Sequence, residues 1–134
     1  MSKIKVSEFY TYAINFSSLG AGSAQSGTVN IEADSDFEIQ KLTYMVDIAG
    51  GSVTASSRII PLVDVTVTDQ SSGRQLTNIA VPVTNIFGTG ELPFILPTTK
   101  ILAARAALGI SVTNVSAGST YNIKLAFVGR KIYR

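Results

Sequence analysis

Carboxylates stand at every second position from Glu32 through Asp34 and Asp36 to Glu38. Such a set has two chemistries open to it. A carboxylate pair across a sugar-binding cleft can serve as acid and nucleophile in glycoside hydrolysis, and Asp34-Ser35-Asp36 in a turn could offer oxygens to calcium. Both require partners that the chain does not supply nearby. A glycosidase wants a cleft of aromatic and polar residues, and a recognisable calcium loop has further ligands at fixed offsets and a glycine. The expected state is a solvated turn whose Asp side chains cap backbone groups.

The stretch "NIFGTGELPFILPTTKIL", residues 85–102, poses a second question. Gly88 and Gly90 flank Thr89, and Lys100 follows, which brings a phosphate-cradling loop to mind. That loop needs a lysine directly after its last glycine and a helix whose N-terminus meets the phosphates. Here Glu91 follows Gly90 and would repel an anion, while Pro93 and Pro97 break any following helix. The segment instead predicts a connection across the end of a sandwich, with Phe87, Leu92, Phe94 and Leu96 tucked inward.

The chain has no histidine and no cysteine. Histidine bases, serine–histidine triads, thiolate nucleophiles, disulfides and zinc or iron–sulfur ligation are therefore excluded. No cofactor, metal or catalytic residue is assigned, and the chain is read as a non-enzyme. Asn114-Val115-Ser116 fits the glycosylation acceptor pattern, but no secretory signal precedes it, so a chance match is expected.

Charge is sorted along the sequence. Residues 8–38 carry Glu8, Glu32, Asp34, Asp36 and Glu38 with no cation, whereas residues 92–134 carry Lys100, Arg105, Lys124, Arg130, Lys131 and Arg134 with no anion. This reads as an electrically two-sided molecule, whose patches would meet on neighbouring copies or on an acidic scaffold. The aromatic-plus-basic strand motifs that stack bases are not evident, so no direct nucleic-acid partner is expected. Both ends combine cations with aromatic or aliphatic residues, the types that anchor interfaces. Lys3, Lys5 and Tyr10 near the start, with Arg130, Lys131, Tyr133 and Arg134 at the end, are the candidate interface residues. Removing residues 130–134 is expected to weaken attachment and leave the sheet folded.

The elements that must position these residues are strands. With 134 residues, 46% hydrophobic and 15% charged, the chain suits one domain with one core, here residues 1–134 with extended termini. No run approaches the length of a membrane-spanning helix, so no membrane partner is expected and synthesis in the cytosol is. Alternation with period two marks "FYTYAINF", "GTVNIEA" and "LVDVTVTD" as strands. "FEIQKLTYMVDIA" swaps its buried face midway, as a strand does when it bulges or bends between two sheets. "DQSSGR" predicts a hairpin from "LVDVTVTD" into "RQLTNIAVPV", and "VSAGS" a second hairpin between "ALGISVTN" and "TYNIKLAFVGRKIY". "KILAARAAL" reads as strand, turn, strand, with room for one helical turn. The total is an all-β, eight-stranded antiparallel sandwich of jelly-roll type.

Residues 37–133 resemble the small cement or decoration proteins of tailed-bacteriophage capsids. The residues that carry the likeness are "FEIQKLTYMVDIA", "TDQSSGRQLTN", "IFGTGELPFILP" and "VTNVSAGSTYNIKLAFVGRKIY". The resemblance implies a non-enzymatic virion protein on the capsid exterior, self-associating as a dimer or trimer, with the major capsid protein as partner. The alternative is a receptor- or carbohydrate-binding sandwich on a phage fibre or spike. Against it stands the lack of tryptophan, the side chain best suited to stacking on sugars.

Overall fold

The computed structural model describes residues 7–48, 62–118 and 120–133. In chain order the strands are β1 (Ser7–Leu19), β2 (Ala24–Asn30), β3 (Asp36–Ile48), β4 (Val63–Asp69), β5 (Arg74–Gln75), β6 (Val81–Pro82), β7 (Phe94–Leu102), β8 (Ala107–Asn114) and β9 (Tyr121–Ile132), with one helical turn, α1 (Val83–Ile86), after β6. The molecule is nearly all-β, and every ladder between its strands is antiparallel. One sheet has the order β1-β9-β3-β7; the other runs β2-β8-β4-β5, with β6 also on β4.

Alternation sets what each sheet buries. Along β4, Val63, Val65 and Val67 point inward and are essentially unexposed, while Asp64, Thr66 and Thr68 stay partly in contact with solvent. Leu108, Ile110 and Val112 do the same on β8, and Tyr121, Ile123, Leu125 and Phe127 on β9. These two rows face each other across the sandwich, as the period of two requires. Each large aliphatic or aromatic side chain so buried contributes about 1.5–3 kcal/mol over leaving it in water.

The expected face swap in the third strand is a bulge. Ile39 pairs with Gly129 and Lys41 with Val128, so Gln40 is the extra residue; inward positions change from Phe37 and Ile39 to Leu42 and Val46. The strand does not pass between sheets: β9 accompanies it from Asp36 to Ile48.

Two of the sequence-based expectations about turns change. "DQSSGR" does form a hairpin: Gly73, at φ 73°, donates its N–H to the Asp69 carbonyl at 2.7 Å, and the Asp69 side chain accepts from the Ser71 N–H. Its second strand is interrupted, however, with only Arg74–Gln75 and Val81–Pro82 on β4. "VSAGS" is not a hairpin loop, because β8 and β9 lie in different sheets. A loop of this length spans the ~10 Å between sheets as easily as the ~4.8 Å within one. Asn114 at its start is fully buried; its amide donates to the Leu19 carbonyl at 2.9 Å and its oxygen accepts from Ser116, which leaves no accessible glycosylation acceptor. After β7, Ala103–Ala106 forms the turn, with Arg105 at φ 68°.

The glycine-proline stretch resolves into a structural corner. Gly88 bridges Thr43, donating its N–H to the Leu42 carbonyl and accepting from the Tyr44 N–H. A Cβ at Gly88 would fall on the Leu92 carbonyl oxygen and lie 2.6 Å from the Phe94 nitrogen, whereas at Gly90 nothing stands within 4 Å. Gly88→Ala should therefore cost about 2 kcal/mol or more, and Gly90→Ala should stay within about 0.5 kcal/mol of the parent. Urea denaturation of the pair checks this; equal losses would mean the corner yields. Of the side chains expected inside, Phe87 is buried and Phe94 and Leu96 are half-buried, but Leu92 is 78% exposed, since the Thr89–Leu92 turn carries it away from the core.

Candidate functional site

Three places on the molecule combine side chains beyond what the core needs. The first gathers the charges that the sequence sorts apart. Because β9 lies between β1 and β3, the basic end of the chain is flanked on both sides by its acidic beginning. Lys131, at 5% exposure, directs its ammonium at Glu32, 2.7 Å away, and Asp34, at 3.6 Å, over the ring of Tyr10 at 4.1 Å from its centroid. The Tyr10 hydroxyl donates to Glu32 at 3.1 Å, and the Tyr12 hydroxyl accepts from the Glu32 N–H. Asp36 caps the Ala103–Ala106 turn by accepting from the Ala104 N–H at 3.0 Å. One strand position away, Arg130 donates to Glu38 at 2.7 Å, and Thr99 donates to the other oxygen of the same carboxylate.

The expectation of an electrically two-sided molecule is corrected in part by this geometry: Arg130 and Lys131 are neutralised within one chain by Glu38, Glu32 and Asp34, whereas Lys124 is left exposed. Lys131 is also corrected as an interface residue, since its side chain is covered and its ammonium engaged internally. Tyr10 is half-buried beneath it, and Tyr133 donates to Glu8 at 3.3 Å. Arg130 is exposed. Lys3, Lys5 and Arg134 lie outside the described residues. Arg130 to Ile132 belong to β9 and pair with both neighbours, so removing residues 130–134 would shorten the sheet rather than trim a tail.

The pairing shows in the acid–base behaviour. The Lys131 hydrogen bond, seconded by that of Tyr10, holds Glu32 below the usual carboxylate range, and Arg130 with Thr99 does the same for Glu38. Lys131 is pushed above its ordinary value chiefly by its bond to Glu32. The carboxylate contributions are fully present above about pH 4.3, the unfolded value, and are lost as pH falls through the lower folded values. That of Lys131 is present below about pH 10.4 and is lost only at higher pH. The melting temperature should thus fall on acidification below about pH 5, and Glu32→Gln should flatten that fall. An unchanged acid limb in the variant would show that the pair carries none of it.

The second place is the outward face of the four-stranded sheet. Register aligns its side chains in ranks: Phe9, Arg130, Glu38 and Ile101; then Thr11, Val128, Lys41 and Ile95; then Ala13, Ala126 and Thr43; then Asn15, Lys124 and Met45. Small residues occupy the middle, and the exposed large apolar side chains Phe9, Ile101, Ile95 and Met45 stand at the margins. Sequence reasoning missed this face. The signal was present in the odd positions of "FYTYAINF", which read as the mixed side of a strand, and in the aliphatic residues of "FILPTTKIL".

The third is an apolar groove of about 340 Å³ where β7, α1 and the segment after β5 meet. Leu42, Leu76, Ile86, Phe94 and Leu96 line it, and Lys100, 4.0 Å from Asp69, stands at its rim. Among the described residues no group of three or more potential metal ligands forms a cluster, and no helix is long and apolar enough to cross a membrane.

No family model and no curated protein sequence matches the chain. Among solved structures it is similar to the Drosophila NLP core, described for pentamer formation and histone binding, at 12% identity and a TM-score of 0.37 over 92% of this chain and 98% of that one. It is also similar to VP2 of the infectious bursal disease virus subviral particle, at 15% identity and a TM-score of 0.33, over 94% of this chain and 36% of the other. At these scores the likenesses decide neither topology nor function.

Proposed function

We propose that this chain is a jelly-roll cement or decoration protein, a non-enzymatic virion component that sits on the exterior of a tailed-phage head and bridges major capsid subunits. The observation that carries this reading is the presence of two uncovered apolar surfaces on either side of β7: the outward sheet face, which includes Ile95 and Ile101, and the groove, which includes Phe94 and Leu96. A clamp needs two contact surfaces, and uncovered apolar areas of this kind are the usual means of protein attachment.

The strand order supports the jelly-roll part. Consecutive strands alternate between the sheets except at the β4–β5 hairpin, the first and last lie side by side, and β5 with β6 act as one interrupted eighth strand on β4. The outward face measures on the order of 400–500 Å² from strand and residue spacings, the small end for a specific interface. A dimer or trimer, repeated over the shell, would add such modest contacts into firm attachment.

The reading is tested by mixing the purified protein with heads from a phage strain lacking it. Saturable, stoichiometric binding and greater resistance of the heads to heat are expected. A protein that ignores heads and is retained on a glycan array would be the receptor-binding sandwich instead.

A further inference from the structure

We infer that the outward face of the four-stranded sheet is the docking face, and that what covers it is a protein surface carrying carboxylates. This rests on the cement reading above and names the chemistry of its partner. Lys41 and Lys124 are both exposed on this face, on adjacent strands and two ranks apart, and neither forms an ion pair among the described residues. The other charges there are Arg130 and Glu38, which neutralise each other at 2.7 Å; Asp47 stands at a register position beyond the last rank, opposite Asn122. Two lysines without partners are thus set into a surface that, apart from the Arg130–Glu38 pair, is uncharged and largely apolar along its ranks.

Such a surface selects its partner by charge. Against a second copy of itself about a two-fold axis, the lysines of both copies would lie within the same contact, and like charges across an interface count against association. Against nucleic acid, the lysines would gain, but Phe9, Met45, Ile95 and Ile101 would remain in water and contribute nothing to affinity. A protein surface with Asp or Glu among apolar side chains satisfies both: the carboxylates meet Lys41 and Lys124, and the aliphatic margins exclude water around them. Ala126 on the central strand β9 and Ala13 beside it on β1 let such a surface approach the sheet closely.

The test measures binding to heads purified from a strain lacking the chain, at rising salt, with the parent and three variants. Lys41→Glu with Lys124→Glu should weaken binding at least tenfold. Ala13→Arg, on the edge strand, should weaken it similarly by steric obstruction, and Arg74→Glu, on the other sheet, should stay within twofold of the parent. Parent binding should also weaken as salt rises. Thermal melts verify that each variant is folded, since all three alter exposed side chains.

A parent that binds heads while the double variant and Ala13→Arg bind equally well overturns the docking face and leaves the cement reading standing. A parent that does not bind heads overturns both. Stronger binding by the double variant, or a parent that self-associates or binds duplex DNA through these lysines, overturns the assignment of an acidic protein partner.

Discussion

Gly129→Ala is expected to abolish folding or to lower stability by about 3 kcal/mol or more, at the upper end of the cost of overpacking. Gly129 lies in β9, one of the two strands flanked on both sides within this sheet, and its inward position is opposite the bulge in β3. A Cβ there would fall on the carbonyl oxygen of Glu38, with the Glu38 carbonyl carbon at 2.8 Å and the Ile39 Cα at 3.2 Å. All three are backbone atoms, so no change of rotamer relieves the contact. Either β9 separates from β3, which loosens the sheet at its centre, or the bulge at Gln40 moves and turns Leu42 and Val46 toward solvent. Denaturant titration with Gly118→Ala as a control, where nothing stands within 4 Å, provides the measurement. An alanine variant within about 0.5 kcal/mol of the parent would show the bulge to be freely movable.

That clash also explains what a single sequence can and cannot convey. The parity change in "FEIQKLTYMVDIA" announced a bulge, because hydrophobic alternation is local and a skipped position is visible within it. The glycine that makes the bulge possible is about ninety residues away in register, and nothing near it in the chain marks it as different from a weak point in a strand. The same limit applies to the charges. Glu32 and Lys131 are at opposite ends of the sequence and read as separate poles; they become a pair only because β1 and β3 take β9 between them. The two hairpins looked alike for the same reason. A Gly/Ser/Asp turn encodes a reversal of direction, and the choice between returning in the same sheet, as after β4, and crossing to the other, as after β8, is made by distant partners. Strand positions and inward faces were therefore legible, whereas the outward face, which requires four strands to be placed side by side, was not.

Phe127→Ala should cost about 3–5 kcal/mol, a large share of the 5–15 kcal/mol that typically separates a folded domain from its unfolded chain. Phe127 has no exposed surface and meets the edge of Phe87 at 5.8 Å and 76°, which ties β9 to the corner that follows α1. Truncation would leave a cavity between two elements fixed by other contacts: β9 by two ladders and Phe87 by the Gly88 bridge. Neither can collapse inward to fill it. The loss should appear as a lower denaturant midpoint with an unchanged slope. The outward neighbours Ala126 and Val128 keep their places in the sheet, so the folded fraction should bind heads with the parent's affinity at low temperature. The Lys41→Glu, Lys124→Glu variant should do the opposite, melting like the parent and binding poorly. If Phe127→Ala lost head binding while still fully folded, the inner packing and the outer face of this sheet would not be the independent layers that a sandwich makes them.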